Sequence, residues 1–222
     1  MHQLAFQLKS APKPTLENFI VGQNRELLST IGRFLCGDQN TRFIYLWGSS
    51  GAGKTHLMRA SGAVMTAEGC HVCYDLKSDD ISTFDASTCF CIDNVDDLEH
   101  HEQIIFFNTY NKLRDCGGRM LVVGQQPLSN LSLRADVLTR LSWELVYQVF
   151  PLDDIQKTQD MVEYAKLCGF DVPKEVIDFI LARYPRDLSS LLALLGGLDR
   201  YSLELKRGIT IPLIKSFLDL KD

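Results

Sequence analysis

Short apolar runs alternate with stretches of helical spacing through the first two thirds of the chain, and helical spacing alone follows. Phe43-Ile44-Tyr45-Leu46-Trp47, Cys70 to Leu76, Thr88 to Asn94, Arg119 to Gly124 and Leu145 to Val149 read as strands. Runs this apolar suit parallel strands buried on both faces. Between them, Leu27, Leu28, Ile31, Phe34 and Leu35 recur at helical spacing, and Gly37-Asp38 ends that helix. Further helices are predicted after Gly53, from His100 to Cys116 and from Leu131 to Leu141. Beyond Pro151-Leu152-Asp153-Asp154 the pattern gives helices over 155–167, 174–184, 187–205 and 212–220. Asp153 or Asp154 can cap the first and Gly169 stop it; Thr210 can cap the last, with Pro212 in its first turn. Alternating strands and helices followed by helices alone predict an α/β domain with a parallel sheet over 15–151 and a helical lid domain over 152–222. Residues 1–14 read as an extended tail, because Ala11-Pro12-Lys13-Pro14 cannot start a helix.

The densest chemistry lies between the first strand and its helix. Gly48-Ser49-Ser50-Gly51-Ala52-Gly53-Lys54-Thr55 has the spacing of a P-loop, in the required strand–loop–helix setting. Its glycines let successive N–H groups turn inward on phosphate oxygens, and the helix start adds the positive end of its dipole. Lys54 can reach the β and γ phosphates, and the Thr55 hydroxyl can ligate Mg²⁺. Asp93 falls at the carboxyl end of the third strand, where ligands gather in such sheets, and is the expected second magnesium group. Asn94 follows it. An amide there can orient water but is a poor base, so turnover by the isolated chain is expected to be slow. Gln125, after the fourth strand, is a candidate γ-phosphate sensor. Phe19, Ile20, Val21 and Gly22 form an apolar loop that either staples the next helix to the core or packs on a nucleotide base.

Other positions admit two readings. Arg140, just before the fifth strand, is by its isolation a surface arginine. Arg186 opens a lid helix, where a cation gains nothing from the helix dipole and can instead meet a phosphate. In the tail, Leu4, Phe6 and Leu8 alternate behind Gln3, a stripe that suits a partner's pocket or a short edge strand.

Composition narrows the field. A net charge of −5 without a basic stripe argues against a dominant nucleic-acid surface. Seven cysteines, an odd number scattered over different elements, read as reduced thiols of a cytoplasmic protein rather than a disulfide frame. Cys70 and Cys73 around His71 lack the second ligand pair of a zinc site and are expected to be core thiols. No run is long enough to span a membrane, and no signal peptide is apparent.

Together, the P-loop, the Ile92-Asp93-Asn94 strand end, Thr139-Arg140-Leu141-Ser142-Trp143 and Arg186 resemble AAA+ ATPases of the DnaA group. Asn18-Phe19-Ile20-Val21-Gly22 is similar to the loop that flanks adenine in that group. DnaA continues into a helix-turn-helix domain; ending at Asp222, this chain is expected to lack one and resembles the short Hda-type regulators that inactivate DnaA. The resemblance implies an adenine nucleotide, ADP favoured or else ATP, with Mg²⁺ at Thr55 and Asp93. It makes Arg140 the arginine finger that enters a neighbouring subunit's nucleotide, and Arg186 the sensor arginine of its own. It makes Gln3, Leu4, Phe6 and Leu8 a motif for the β sliding clamp of DNA polymerase III, with Phe6 in a leucine slot. The partners implied are DnaA and the clamp, with DNA reached only through the clamp; a finger acting across an interface also makes self-association plausible. A DnaA-like helicase loader, a small-metabolite P-loop kinase and a nucleotide-bound scaffold stay open as alternatives.

Overall fold

In the computed structural model the described residues are 14–76, 83–184 and 188–219. They fall into two compact units, divided between Pro151 and Leu152.

The first unit runs α1 (Arg25–Leu35), β1 (Phe43–Trp47), α2 (Lys54–Ala67), β2 (His71–Cys73), β3 (Thr88–Ile92), α3 (His100–Cys116), β4 (Arg119–Gly124), α4 (Ala135–Ser142) and β5 (Leu145–Gln148). The strands form one five-stranded parallel sheet in the order β2-β3-β4-β1-β5. Its register sets Phe43 beside Met120 and Ile44 beside both Leu121 and Leu145. Alternate side chains then feed two cores. Ile44, Leu46, Cys89, Cys91, Leu121 and Val123 join the α1 and α2 residues Ile31, Phe34, Leu57 and Met65. Phe43, Tyr45, Phe90, Ile92, Met120 and Val122 join the α3 and α4 residues Phe106, Tyr110, Leu113, Val137 and Leu141. Burial on both faces is why the inner strands β1, β3 and β4 are almost wholly apolar, whereas β2 and β5 at the edges are partly exposed.

Several boundaries differ from the sequence pattern, most of them by a residue or two, and the larger differences have physical reasons. β2 covers only His71–Cys73, because it is an edge strand paired with β3 alone and Tyr74 beyond it is exposed. Cys70 packs with the α1–α2 core and Cys73 with the α3–α4 core, so the two thiols serve opposite faces of the sheet. Residues 131–134 are not helical. The Arg134 N–H donates instead to Gln103 Oε1 at 2.8 Å, and α4 begins at Ala135. β3 ends at Ile92, so Asp93 and Asn94 stand beyond the sheet, with Asn94 in the left-handed region at φ 51°.

The second unit is helical: α5 (Asp154–Leu167), α6 (Lys174–Arg183), α7 (Leu188–Leu205) and α8 (Ile211–Asp219). Asp153 caps α5, accepting the Gln156 N–H at 2.7 Å while the Gln156 side chain accepts the Asp153 N–H at 3.2 Å. Met161, Ile177, Ile180, Leu191, Leu195, Leu198 and Ile214 form its core. Among the described residues no helix is long and apolar enough to cross a membrane.

Candidate nucleotide site

The site is assembled where β1 gives way to α2. Gly51 and Gly53 have φ of 76° and 95°, values that an L side chain rarely adopts. At Gly53 space is also lacking, since a Cβ there would sit 2.8 Å from Phe19 Cε2. That contact seats the 18–22 loop on the glycine turn. Phe19 also lies 5.7 Å, ring to ring, from His56 on α2, whose Nε2 is 2.9 Å from the Thr15 carbonyl. Thr15 and Asn18 close the loop's start on each other through two backbone–side-chain hydrogen bonds.

Asn24 anchors the other end of the loop. It precedes α1, but its side chain does not cap that helix. Its Nδ2 donates to the Phe150 carbonyl at 2.9 Å, and its Oδ1 accepts the Phe150 N–H at 2.8 Å. Next to Phe150, the Val149 carbonyl lies 2.5 Å from where a Cβ on Gly48 would be. Loop, strand exit and glycine turn therefore form one packed frame.

Within the frame, Lys54 is 8% exposed and its Nζ donates to the carbonyls of Gly48 and Ser49, each at 2.9 Å. Burial pulls its pKa down, and the Asp93 and Asp96 carboxylates oppose that fall. The Thr55 hydroxyl donates to Asp93 Oδ2 at 2.9 Å, and Asp93 Oδ1 accepts the Asn94 N–H at 3.0 Å. A threonine hydroxyl against a carboxylate, beside a buried lysine and a glycine turn too tight for side chains, is a hard-oxygen donor set that fits Mg²⁺ with a phosphate chain.

The structure thus brings together residues 48–55, Asp93 and the Phe19 loop. Arg140 is placed elsewhere, in the last turn of α4 against the rings of Phe107, Tyr110 and Trp143. Gln125 has an exposed side chain, and its backbone N–H donates to Asp96 Oδ2 at 2.7 Å. Arg186 and the tail positions Gln3, Leu4, Phe6 and Leu8 lie outside the described residues. Asn24 and Asp96 were not anticipated. An asparagine before a helix reads as a cap, and its true partner is 126 positions away in sequence. Asp96 lies three residues past Asp93, a spacing that carries no motif of its own.

Comparison with known proteins fixes the family. Residues 11–84 match the bacterial DnaA ATPase domain, and residues 154–218 match the Hda lid domain. The chain is a DnaA-related AAA+ protein. Its fold is that of domain III of the Thermotoga maritima replication initiation protein DnaA, with a TM-score of 0.77 at 20% identity, covering 94% of this chain and 96% of that one. AMPPCP-bound DnaA from Aquifex aeolicus is 25% identical, with a TM-score of 0.69 over 87% of this chain and 68% of that one. A replication initiator DnaA bound to AMPPCP and single-stranded DNA is 25% identical, with a TM-score of 0.67 over 87% and 69%. Those two relatives hold an adenine nucleotide analogue. This DnaA-related AAA+ protein carries a parallel-sheet unit of the DnaA type followed by an Hda-type lid.

Proposed function

We propose that this chain is a regulator of replication initiation, which docks on the β sliding clamp through Gln3, Leu4, Phe6 and Leu8 and promotes hydrolysis of DnaA-bound ATP by presenting Arg140 in trans. The observation that carries the reading is the separation of the two cationic groups. Lys54 is enclosed in the chain's own glycine turn, donating to the carbonyls of Gly48 and Ser49, while Arg140 lies in the last turn of α4 against the rings of Phe107, Tyr110 and Trp143.

The chain's own site acts as a clasp. Residues 48–55 hold the phosphates of an adenine nucleotide, ADP by preference, through backbone N–H groups and Lys54. Thr55 and Asp93 hold Mg²⁺, whose role is to neutralise phosphate charge, and Phe19 with its loop covers the base. Asn94, exposed and neutral, takes no proton from water. Arg140 places its planar fork of donors on the charge that develops in the partner's site. Such a finger is worth about 10³–10⁵ in rate.

The test is hydrolysis of DnaA-bound ATP with DNA-loaded clamp, with and without this protein. Arg140→Ala is expected to keep nucleotide affinity and lose the stimulation; full stimulation by that variant would remove the finger assignment. Binding to a replicative helicase, with fast turnover by the isolated chain, would favour a helicase loader instead.

A further inference from the structure

Arg140 is held in an unusual way for a surface arginine. Its guanidinium carbon lies 4.4 Å from the ring centre of Trp143, 5.2 Å from that of Phe107 and 5.9 Å from that of Tyr110. Its Nε is buried and has no hydrogen-bond partner among the described residues. No carboxylate among the described residues pairs with it. The adjacent acid, Glu144, is engaged by the Tyr110 hydroxyl, which donates to Oε1. The ring that comes nearest, Trp143, is three residues on and caps the same helix. It is nevertheless 54% exposed and has a second guanidinium, Arg114, 5.1 Å from its centre.

A carboxylate partner would orient an arginine by consuming the donors that a phosphate needs. Ring faces orient it through the cation alone and leave the Nη fork unspent. The rings also remove rotamer freedom before any partner arrives, so less is lost when the fork engages. The three rings come from two elements, α3 and the end of α4, and both are fixed by the core through Phe106, Leu113, Val137 and Leu141.

We infer that Trp143, with Phe107 and Tyr110, is a positioning cage that pre-orients Arg140 for a phosphate chain on a partner subunit. This rests on the trans-finger reading above. Trp143 is a positioning residue: it acts through Arg140, and its loss lowers the maximal rate rather than the strength of docking.

The test compares Trp143→Leu, Trp143→Phe and Arg140→Ala in stimulated hydrolysis of DnaA-bound ATP, titrated against the concentration of this protein. Trp143→Leu is expected to lower the maximal rate about tenfold with the half-saturating concentration nearly unchanged, and Trp143→Phe to restore most of it. Nucleotide affinity of the chain itself stays as in the wild type. If Trp143→Leu keeps the full rate while Arg140→Ala loses it, the cage is wrong and the finger stands. If the whole loss lies in the half-saturating concentration, Trp143 is a docking contact and the cage is again overturned. If Arg140→Ala keeps full stimulation, the finger reading itself fails. A second measurement needs no partner. In the ¹⁵N-labelled wild-type protein, the Arg140 Nε–H signal, identified by its absence in Arg140→Lys, is expected upfield of other arginines and slow to exchange. A signal at the ordinary position with fast exchange overturns the cage.

Discussion

At the scale of single residues, Asn94 is, under the proposed function, what separates a clasp from an engine. Its φ of 51° lies in the left-handed region, which asparagine and aspartate tolerate better than other L residues. Asn94→Asp therefore changes the side chain without disturbing the backbone. It places a carboxylate beside Asp93, and intrinsic ATP turnover is expected to rise by about a hundredfold, within the range that general bases contribute. A turnover assay on the isolated variant checks this; an unchanged rate would show that the site lacks more than a base. Asp160 on α5 gives a second case. Burial, reinforced by Glu163, raises its carboxyl to about 6, and its Oδ2 is buried without a hydrogen-bond partner among the described residues. Lys157 stands three residues before it on the helix, with its Nζ 3.7 Å from Asp154. A carboxyl that binds its proton more tightly when folded favours the folded state at low pH. That contribution is present below about pH 4 and is lost as pH rises through about 6. Asp160→Asn keeps a neutral group at every pH, so it is expected to raise the melting temperature at pH 7.5 by about 1–3 °C. The gain should vanish near pH 4, as thermal melts across pH would reveal.

At the scale of elements, the frame around the glycine turn depends on one buried side chain. Asn24 is 2% exposed and joins the Phe19 loop to the exit of β5 by two hydrogen bonds to Phe150. Asn24→Ala leaves the Phe150 N–H and carbonyl unpaired, at a cost of about 2 kcal/mol. Urea unfolding should show that loss, and nucleotide affinity should fall with it because the loop that packs on Gly53 is released. A variant as stable as the wild type would mean that Phe150 finds other partners. Such long-range ties mark where sequence pattern stopped being informative. β1, α3 and β4 were legible to the residue, because each is a continuous apolar run or a full amphipathic helix with turn residues at its ends. β2 was read too long because an edge strand needs a neighbour at every residue, and nothing in Cys70 to Leu76 tells where β3 stops pairing. Leu131 and Leu133 looked like the start of a helix, yet both pack on the core from an extended segment that Gln103 holds in place. The glycine turn and its neighbour Asp93 were legible as geometry, because the strand–loop–helix order and the strand end are written in the local pattern. The Arg140 cage was not, since its rings come from α3 and α4 and only the fold brings them together.

At the scale of the whole molecule, the proposal assigns docking and chemistry to separate parts, and the two should separate in the same titration. The tail motif lies ahead of the α/β unit, whereas Arg140 lies within it and is held by that unit's own rings. A tail bound to the clamp converts the encounter with DnaA into an intramolecular event at high effective concentration. Removing residues 1–13 should therefore leave the Phe19 loop, the glycine turn and the Arg140 cage intact, and with them the maximal rate of stimulated hydrolysis. The half-saturating concentration should rise by about 10²–10⁴, the usual scale of lost avidity. Arg140→Ala should behave in the opposite way, with unchanged clamp binding and a maximal rate near that of DnaA alone. The two variants mixed should not rescue each other on the same clamp, because a finger without a tether and a tether without a finger sit on different molecules. A tail-deleted protein whose half-saturating concentration matches the wild type would show that the clamp is held by another surface. A tail deletion that lowers the maximal rate as well would show that the tail also shapes the catalytic encounter.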